Sequence, residues 1–313
     1  MPSSPTWRPT APTRLDCDVS TLAIAALIYG GWIALTLSAT RLPTPLVAAL
    51  GGWLIAWQGS LQHETIHGHP TASRLFNRAL GYAPLSLWLP YSRYRRLHLD
   101  HHATEHLTVP GADPESRYLG AGNGAASNVA ARLTSTLLGR LLLGPPIEIA
   151  GFLVTEGRAL VAGAPGVRRD WAIHMVGVVA IYAWLAWICH LSLIRYLLCF
   201  IYPGSALSLL RSFAEHRADP HPARRIAVVE KAPILGLLFL NNNLHAAHHA
   251  FPHASWRSLA GLYATHRADL LKANGGLVYV GYSDVARRYL FRPHDVLRHP
   301  QDRRPIVEEA VVA

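Results

Sequence analysis

The sequence predicts an all-α integral membrane protein with about four transmembrane helices, further interfacial helices and a cytosolic cap lined by histidines. Half of the 313 residues are apolar and only 15% are charged, whereas roughly a quarter of the residues are charged in an average soluble domain. Long apolar runs alternate with histidine-rich segments. Because no compositional break divides the chain, we interpret residues 1–313 as one domain, with a core of about 19–275 and a cytosolic tail at 276–313.

Four apolar runs are long enough to be predicted as membrane spans. Residues 19–39 contain no charge and have the length of about 20 residues that a spanning helix needs. A second run, 45–62, follows almost at once, which argues against a cleaved signal peptide. The third and fourth runs are 171–188 and 191–210.

Shorter apolar segments predict helices that do not cross. The stretches 82–90 and 137–154 are interrupted by proline or glycine, which favours interfacial or re-entrant structure. The segment 232–240 is too short to span and is predicted to lie on the surface.

The positive charge predicts the orientation of these spans. The formal net charge is +10, and every Lys and Arg except Arg41 and Arg195 precedes the first span, lies between the second and third, or follows from Arg211 onward. Cytoplasmic loops hold the excess of basic residues. We therefore expect both termini and the histidine clusters in the cytoplasm, at the inner membrane if the source is bacterial, and no role in nucleic-acid binding.

Three histidine clusters carry the chemical signal. The first is the HxxxH run His63 to His67, and the other two are HxxHH runs at 98–102 and 245–249. On a helix, residues three and four apart share a face, so we expect each helix to offer its histidines to one point. Neutral imidazole binds iron, copper or zinc. Eight nitrogen ligands are too many for one ion and predict two.

As a set, these boxes and the four spans resemble the membrane fatty acid desaturase superfamily, which also contains alkane and fatty acid hydroxylases and carotenoid ketolases and hydroxylases. The resemblance covers residues 53–252. It implies two iron ions, O₂ as co-substrate and one further histidine ahead of the last box, which matches His216. His69 is an alternative to His67, since the spacing of the first box varies in the superfamily. The implied metal ligands are His63, His67, His98, His101, His102, His216, His245, His248 and His249.

The resemblance implies an oxidoreductase that attacks an unactivated C–H bond of a lipid-like substrate. A fatty acid (acyl lipid) desaturase is the first interpretation, and a hydroxylase or ketolase acting on alkyl, fatty acyl or terpenoid substrates is the alternative. The sequence contains neither a Cys-rich rubredoxin module nor an HPGG haem motif. We therefore expect a separate electron donor, such as a ferredoxin or rubredoxin with its reductase, attracted by the basic cytoplasmic face.

Two rival functions start from the same histidines. His63 to His67 reads HExxH, the motif of zinc metalloproteases in which Glu64 would be the general base. That chemistry leaves both HxxHH runs unexplained. A histidine-rich metal transporter would place its ionisable residues near the middle of the bilayer, whereas these clusters flank the predicted spans.

Several polar side chains are predicted to orient the ligand imidazoles as hydrogen-bond acceptors. They are Glu64, Asp100, Glu215 and the asparagines of 241–243. The segment 108–118 resembles the loop that follows the second box in bacterial desaturase-like and hydroxylase-like proteins. We expect this loop to shape the entrance to the site.

Overall fold

The computed structural model describes residues 17–120 and 122–301 and is mostly helical, as predicted. The predicted cytoplasmic Arg8 and Arg14, and the part of the predicted tail beyond residue 301, lie outside the described residues. In chain order the helices and strands are α1 (Val19–Ser38), α2 (Thr44–Ile66), α3 (Arg74–Gly81), α4 (Tyr91–Ala103), α5 (Ala125–Leu133), α6 (Leu137–Leu142), α7 (Gly144–Val161), α8 (Val167–Ala183), α9 (Leu193–Tyr196), α10 (Tyr202–Glu215), β1 (Val228–Val229), α11 (Pro233–Leu238), α12 (His245–Ala250), α13 (Trp256–Ala273), β2 (Val278–Tyr279) and α14 (Tyr282–Tyr289).

Among the described residues, three helices are long and apolar enough to cross a membrane. The first is α1. In the second, a π-helical turn extends α8 to Ile188, and in the third a similar turn joins α9 to α10, giving a continuous helix Leu193–Glu215. The 23-residue α2 is equally long, but the polar residues of its second half, Gln58 to Glu64, lower its hydropathy. Three of the four predicted spans therefore coincide with apolar helices of spanning length.

Glycines allow α2 and α10 to pack closely. A Cβ on Gly204 of α10 would lie 2.6 Å from Ile55 Cβ, and one on Gly52 of α2 would lie 2.7 Å from Pro203 Cβ. Such contacts are shorter than side chains tolerate, so only glycine permits this approach of the two backbones. The close packing fixes the C-terminal end of α2, which carries the first histidine box, beside the end of α10.

A buried ion pair holds α4 against α7. Arg93 donates from Nε and Nη2 to the two carboxylate oxygens of Glu156, at 2.8 and 2.9 Å. Bidentate pairs of this kind are directional as well as strong. The pair therefore fixes the orientation of the helix that carries the second histidine box.

The segment 232–240, which was predicted to lie on the surface, is exposed at Pro233, Ile234 and Leu237 and buried at its C-terminal end. Ile234 is exposed, but Leu238 has no exposed surface, and Phe239 and Leu240 are each 2% exposed. The segment packs against α2, and Trp57 Nε1 donates to its Leu237 carbonyl at 3.1 Å. The prediction therefore holds for the exposed residues of the segment and was wrong for its C-terminal end, because neighbouring helices can also bury a short apolar segment.

The core also extends beyond its predicted end near residue 275. The two strands β1 and β2 pair in parallel, with Val228 opposite Val278. Tyr279 and Val285 are 1% and 0% exposed and belong to the same apolar cluster as residues of α1 and α2. Residues 277–285 are thus part of the folded core, and not of a tail.

Candidate metal centre

The nine predicted histidines converge into two groups in which all ligand nitrogens lie within 4.8 Å of one another. We call them the five-histidine group and the four-histidine group. The five-histidine group contains His63, His67, His98, His102 and His248, and the four-histidine group contains His101, His216, His245 and His249.

The five-histidine group is assembled by three helices. Its ring nitrogens lie close together: His98 Nε2 is 3.0 Å from His67 Nε2 and 3.1 Å from His102 Nε2. His102 Nε2 in turn lies 3.0 Å from His248 Nε2. The rings of His63 and His67, at the end of α2, pack against His98 and His248. The five residues could therefore hold one metal ion.

The four-histidine group lies beside it. His245 Nε2 is 3.0 Å from His216 Nε2 and 3.1 Å from His249 Nε2. The ring of His101 packs against those of His216 and His249, with centroids 5.0 and 5.1 Å apart. His216 immediately follows the last residue of α10, so the end of that helix sets its position.

Each HxxHH helix divides its histidines between the two groups, which corrects the prediction that each helix serves one point. On α4, His98 and His102 enter the five-histidine group, and His101 enters the four-histidine group. On α12 the division is reversed: His245 and His249 enter the four-histidine group, and His248 enters the five-histidine group. Neighbouring residues diverge by about 100° around a helix, whereas residues four apart nearly coincide. The motif is therefore suited to bridging two adjacent ions.

The donor set fits metal ions. Ring nitrogens about 3 Å apart repel unless protons or a cation lie between them, and each neutral imidazole has only one proton. The Nε2 atom of His101 is buried and has no hydrogen-bond partner among the described residues. A cation in each group would satisfy these nitrogens.

Burial keeps most of these imidazoles neutral. Burial and the neighbouring His98 lower the pKa of His67 to about 2 and that of His102 to about 3. The same causes, burial first and neighbouring histidines second, hold the pKa of His245, His248 and His249 well below its usual range. Neutral imidazole is the form that binds metal.

Two carboxylates from the 108–118 loop orient the imidazoles of α4. His101 Nδ1 lies 2.8 Å from Asp113 Oδ1, and His98 Nδ1 lies 2.9 Å from Glu115 Oε1. Because a carboxylate accepts, each Nδ1 carries the proton and each Nε2 is free to bind metal. The loop was expected to shape the entrance only. Its acidic pair was missed because both carboxylates are distant in sequence from the histidines that they contact.

Asp113 is fixed in turn by the main chain. It accepts from Thr108 N at 2.7 Å and from Glu115 N at 2.8 Å. Burial is the largest single influence and opposes charge on both Asp113 and His101. Their hydrogen bond and the neighbouring charges together outweigh it, so that the pKa of Asp113 is lowered and the pKa of His101 is raised. The pair is thus a rigid, buried support for one ligand of the four-histidine group.

The other predicted acceptors divide into two sets. His245 Nδ1 lies 3.0 Å from Asn242 Oδ1, as expected for an orienting group. Glu215 Oε1 lies 3.5 Å from the same nitrogen but has no hydrogen-bond partner among the described residues. Asn241 and Asn243 instead bind main-chain carbonyls, and Asp100 is exposed. A main-chain partner was not predicted at all: His216 Nδ1 donates to the carbonyl of Arg225 at 3.2 Å.

Glu64 and His69 lie outside both groups. The Glu64 carboxylate accepts from Trp256 N at 3.2 Å, at the start of α13. It therefore supports a helix and is not turned toward the histidines, as the general base of an HExxH protease would be. His69 Nε2 lies 3.1 Å from the carbonyl of His253. The geometry thus brings His67, and not His69, into the first group.

A cavity of about 400 Å³ adjoins the four-histidine group. Glu115, Glu215 and His216 form its wall on the metal side. Its volume is within the range of roughly 300–1,000 Å³ that is typical of small-molecule sites. A small molecule in this cavity would lie beside the histidines.

The comparisons with known proteins give one family match. A family model described as fatty acid desaturase matches residues 20–281. A search of curated proteins gives no significant match.

Proposed function

The chain belongs to the fatty acid desaturase family, and we propose that it is an O₂-dependent di-iron oxidoreductase that attacks an unactivated C–H bond of a lipid-like substrate. Membership supports a lipid-modifying oxidoreductase of the desaturase or hydroxylase type. The observation that carries the proposal is the convergence of nine histidines into two adjacent groups. Nitrogen ligands without thiolates suit iron, and they add no negative charge to it.

Bound irons would supply the activation of O₂ and the oxidation of the substrate carbon. The residues of the chain would orient the metal ligands and position the substrate. Asp113 and Glu115 hold their histidines in the tautomer that directs Nε2 inward. Tyr94 and Leu97 of α4 line the adjoining cavity and would keep a hydrocarbon chain in place beside His216.

We propose a four-span topology, with α2 as the second span and the histidines at its cytoplasmic end. The length of α2 supports this, and so does its packing between α1 and α10, both of which belong to apolar helices of spanning length. The polar half of α2 faces the protein, since Gln58, Gln62 and His63 are at most 3% exposed. The basic loops then favour a cytoplasmic active site and cytoplasmic termini.

We further propose that electrons arrive from a separate ferredoxin or rubredoxin with its reductase. The net charge of +10 supports an acidic partner.

A fatty acyl desaturase is the preferred activity, and a hydroxylase or ketolase is the second candidate. Both begin with removal of hydrogen from carbon. The lining of the cavity supports the second candidate as well. Three serines of α10, Ser205, Ser208 and Ser212, lie beside its apolar residues and would suit a substrate with polar groups along its length.

Expression in a bacterial host with a ferredoxin and its reductase, followed by mass spectrometry of extracted lipids, tests the proposal. A desaturase yields products that lack two hydrogens, a hydroxylase yields products with one added oxygen, and a ketolase yields products with one added oxygen and two fewer hydrogens. A His101→Ala variant is the control, and it should form none of them. Absence of all three products from an iron-loaded protein that receives electrons would contradict the proposal.

A further inference from the structure

The cavity beside the four-histidine group has a lining of mixed chemistry. Its apolar residues include Ile55 and Leu97. Its charged residues include a polar cluster of Arg117, Arg140 and Glu148. This lining suits a molecule that has an apolar chain and a polar head group.

The polar cluster holds more positive than negative charge. Arg117 and Arg140 both donate from Nη1 to the same oxygen of Glu148, Oε1, at 2.6 and 3.0 Å. One carboxylate thus serves two guanidinium groups, which leaves the cluster with a net charge of one positive unit. The side chain of Arg140 is only 11% exposed and that of Arg117 is 33% exposed, so solvent compensates Arg140 poorly.

A further carboxylate of the lining makes no hydrogen bond to the cluster among the described residues. Asp295 also lines the cavity, but it accepts hydrogen bonds from Tyr118 Oη at 2.7 Å, Ala218 N at 2.6 Å and Val296 N at 2.7 Å. Burial and the adjacent Arg117 lower the pKa of Arg140 to about 10, the direction expected for a cation that lacks a sufficient counter-charge. It remains charged at neutral pH.

The arginines also retain unused donors. Arg140 donates from Nε to the carbonyl of Thr134 at 3.0 Å and from Nη1 to Glu148. Within the described part of the chain, neither its Nη2 atom nor that of Arg117 makes a hydrogen bond. Guanidinium groups with free nitrogens bind carboxylate and phosphate oxygens well.

Building on the proposed function, we propose that Arg117 and Arg140 bind the anionic head group of an amphiphilic substrate, a carboxylate or a phosphate. Its hydrocarbon chain lies beside His216, along the apolar residues of the lining such as Ile55 and Leu97. The head group thus sets which carbon lies beside the four-histidine group. Glu148 limits the affinity, because it competes with the substrate for the same two cations.

Three probes with the same sixteen-carbon chain test this inference: palmitate, hexadecyl phosphate and hexadecanol. Their binding to the purified full-length protein in a non-ionic detergent is measured with radiolabelled compounds, without turnover. We expect at least one of the two anions to bind about tenfold more tightly than the alcohol, as one charge-assisted hydrogen bond allows. The anion that binds more tightly identifies the head group as carboxylate or phosphate.

Three variants locate the effect. Arg140→Gln should remove the roughly tenfold preference for the anion, and Glu148→Gln should increase it. Arg132→Gln is the matched control, since Arg132 is an exposed arginine of the neighbouring α5 and does not line the cavity. If Arg140→Gln unfolds, Arg117→Gln serves in its place, because within the described residues the Arg117 side chain bonds to Glu148 alone.

Equal binding of the three probes would overturn the inference, as would equal losses in Arg140→Gln and Arg132→Gln. Neither result would touch the proposed function, which depends on iron content and product formation. Conversely, a protein that forms no oxidised lipid but shows the anion preference would overturn the proposed activity and leave the head-group site intact.

Discussion

The five-histidine and four-histidine groups draw on the same two HxxHH helices in opposite ways. α4 gives two histidines to the first group and one to the second, and α12 does the reverse. The additional ligands differ: α2 provides two for the first group, whereas the second has only His216. The four-histidine group therefore has one nitrogen fewer, and its His216 is the ligand that lines the cavity. We infer that small molecules approach the centre on that side.

The supports of the two groups differ as well. In the four-histidine group, three of the ligands have identified partners at Nδ1: Asp113, Asn242 and the carbonyl of Arg225. In the five-histidine group the corresponding partner is Glu115, which contacts His98. A group with fewer ligands depends more on the orientation of each. The comparison leads to four predictions.

The largest expected difference is between His249→Ala and His102→Ala. Each residue is the last histidine of its HxxHH run, and the two rings stack with centroids 4.4 Å apart. Loss of His249 leaves three nitrogens in its group, whereas loss of His102 leaves four. We expect His249→Ala to lose one iron per chain and His102→Ala to retain more of its iron, as measured by elemental analysis. Equal iron loss in the two variants would show that the groups are equivalent.

Asp113→Asn should have a larger effect than Glu115→Gln. Both changes remove a carboxylate charge at an imidazole Nδ1, and such changes typically cost about 10–100-fold in metal affinity or activity. The Asp113 side chain is 1% exposed, whereas that of Glu115 is 35% exposed, so water can replace Glu115 more easily. Iron affinity, measured by competition with a chelator, should fall toward the upper end of this range in Asp113→Asn. The reverse order would contradict the assigned roles.

Gly59→Leu should separate substrate binding from metal binding. Gly59 lines the cavity one turn before His63, and a Cβ there meets nothing within 4 Å. A leucine would fill part of the cavity without displacing the backbone, so we expect weakened binding of a sixteen-carbon probe and unchanged iron content. Gly151→Leu is the control, because Gly151 is exposed and also has open space. Iron loss specific to Gly59→Leu would contradict the placement of the cavity.

The smallest effect is expected for Glu64→Gln. The glutamine amide oxygen can still accept from Trp256 N, so α13 keeps its support. Iron content and turnover should stay within a few-fold of the unchanged protein. Loss of a general base typically costs about 10²–10⁴-fold in rate. A loss of that size in Glu64→Gln, with the fold intact, would revive the HExxH interpretation.

The sequence was sufficient to predict that the eight histidines of the three boxes come together and that the fold is helical, since both follow from local patterns. The HxxxH and HxxHH motifs can be read directly from the sequence, and so can apolar runs of spanning length. His216 has no motif of its own and was found only through family resemblance. The division of each HxxHH run between two groups was not predicted. It follows from helical geometry, since neighbouring residues such as His101 and His102 point in directions about 100° apart.

Long-range contacts explain the other differences. Asp113 and Glu115 meet the histidines only because the 108–118 loop folds back onto α4. The burial of Leu238 depends on packing against α2, and that of Tyr279 depends on strand pairing across about 50 residues. Local periodicity contains no information on such pairings.

Mössbauer spectroscopy of the protein loaded with ⁵⁷Fe, together with elemental analysis, tests the central claim most directly. Two irons per chain in two different ligand environments should give two quadrupole doublets of equal area, and His249→Ala should selectively remove one of them. A single iron, a single zinc, or no metal retained by a folded protein would contradict the assignment of the five-histidine and four-histidine groups as a di-iron centre.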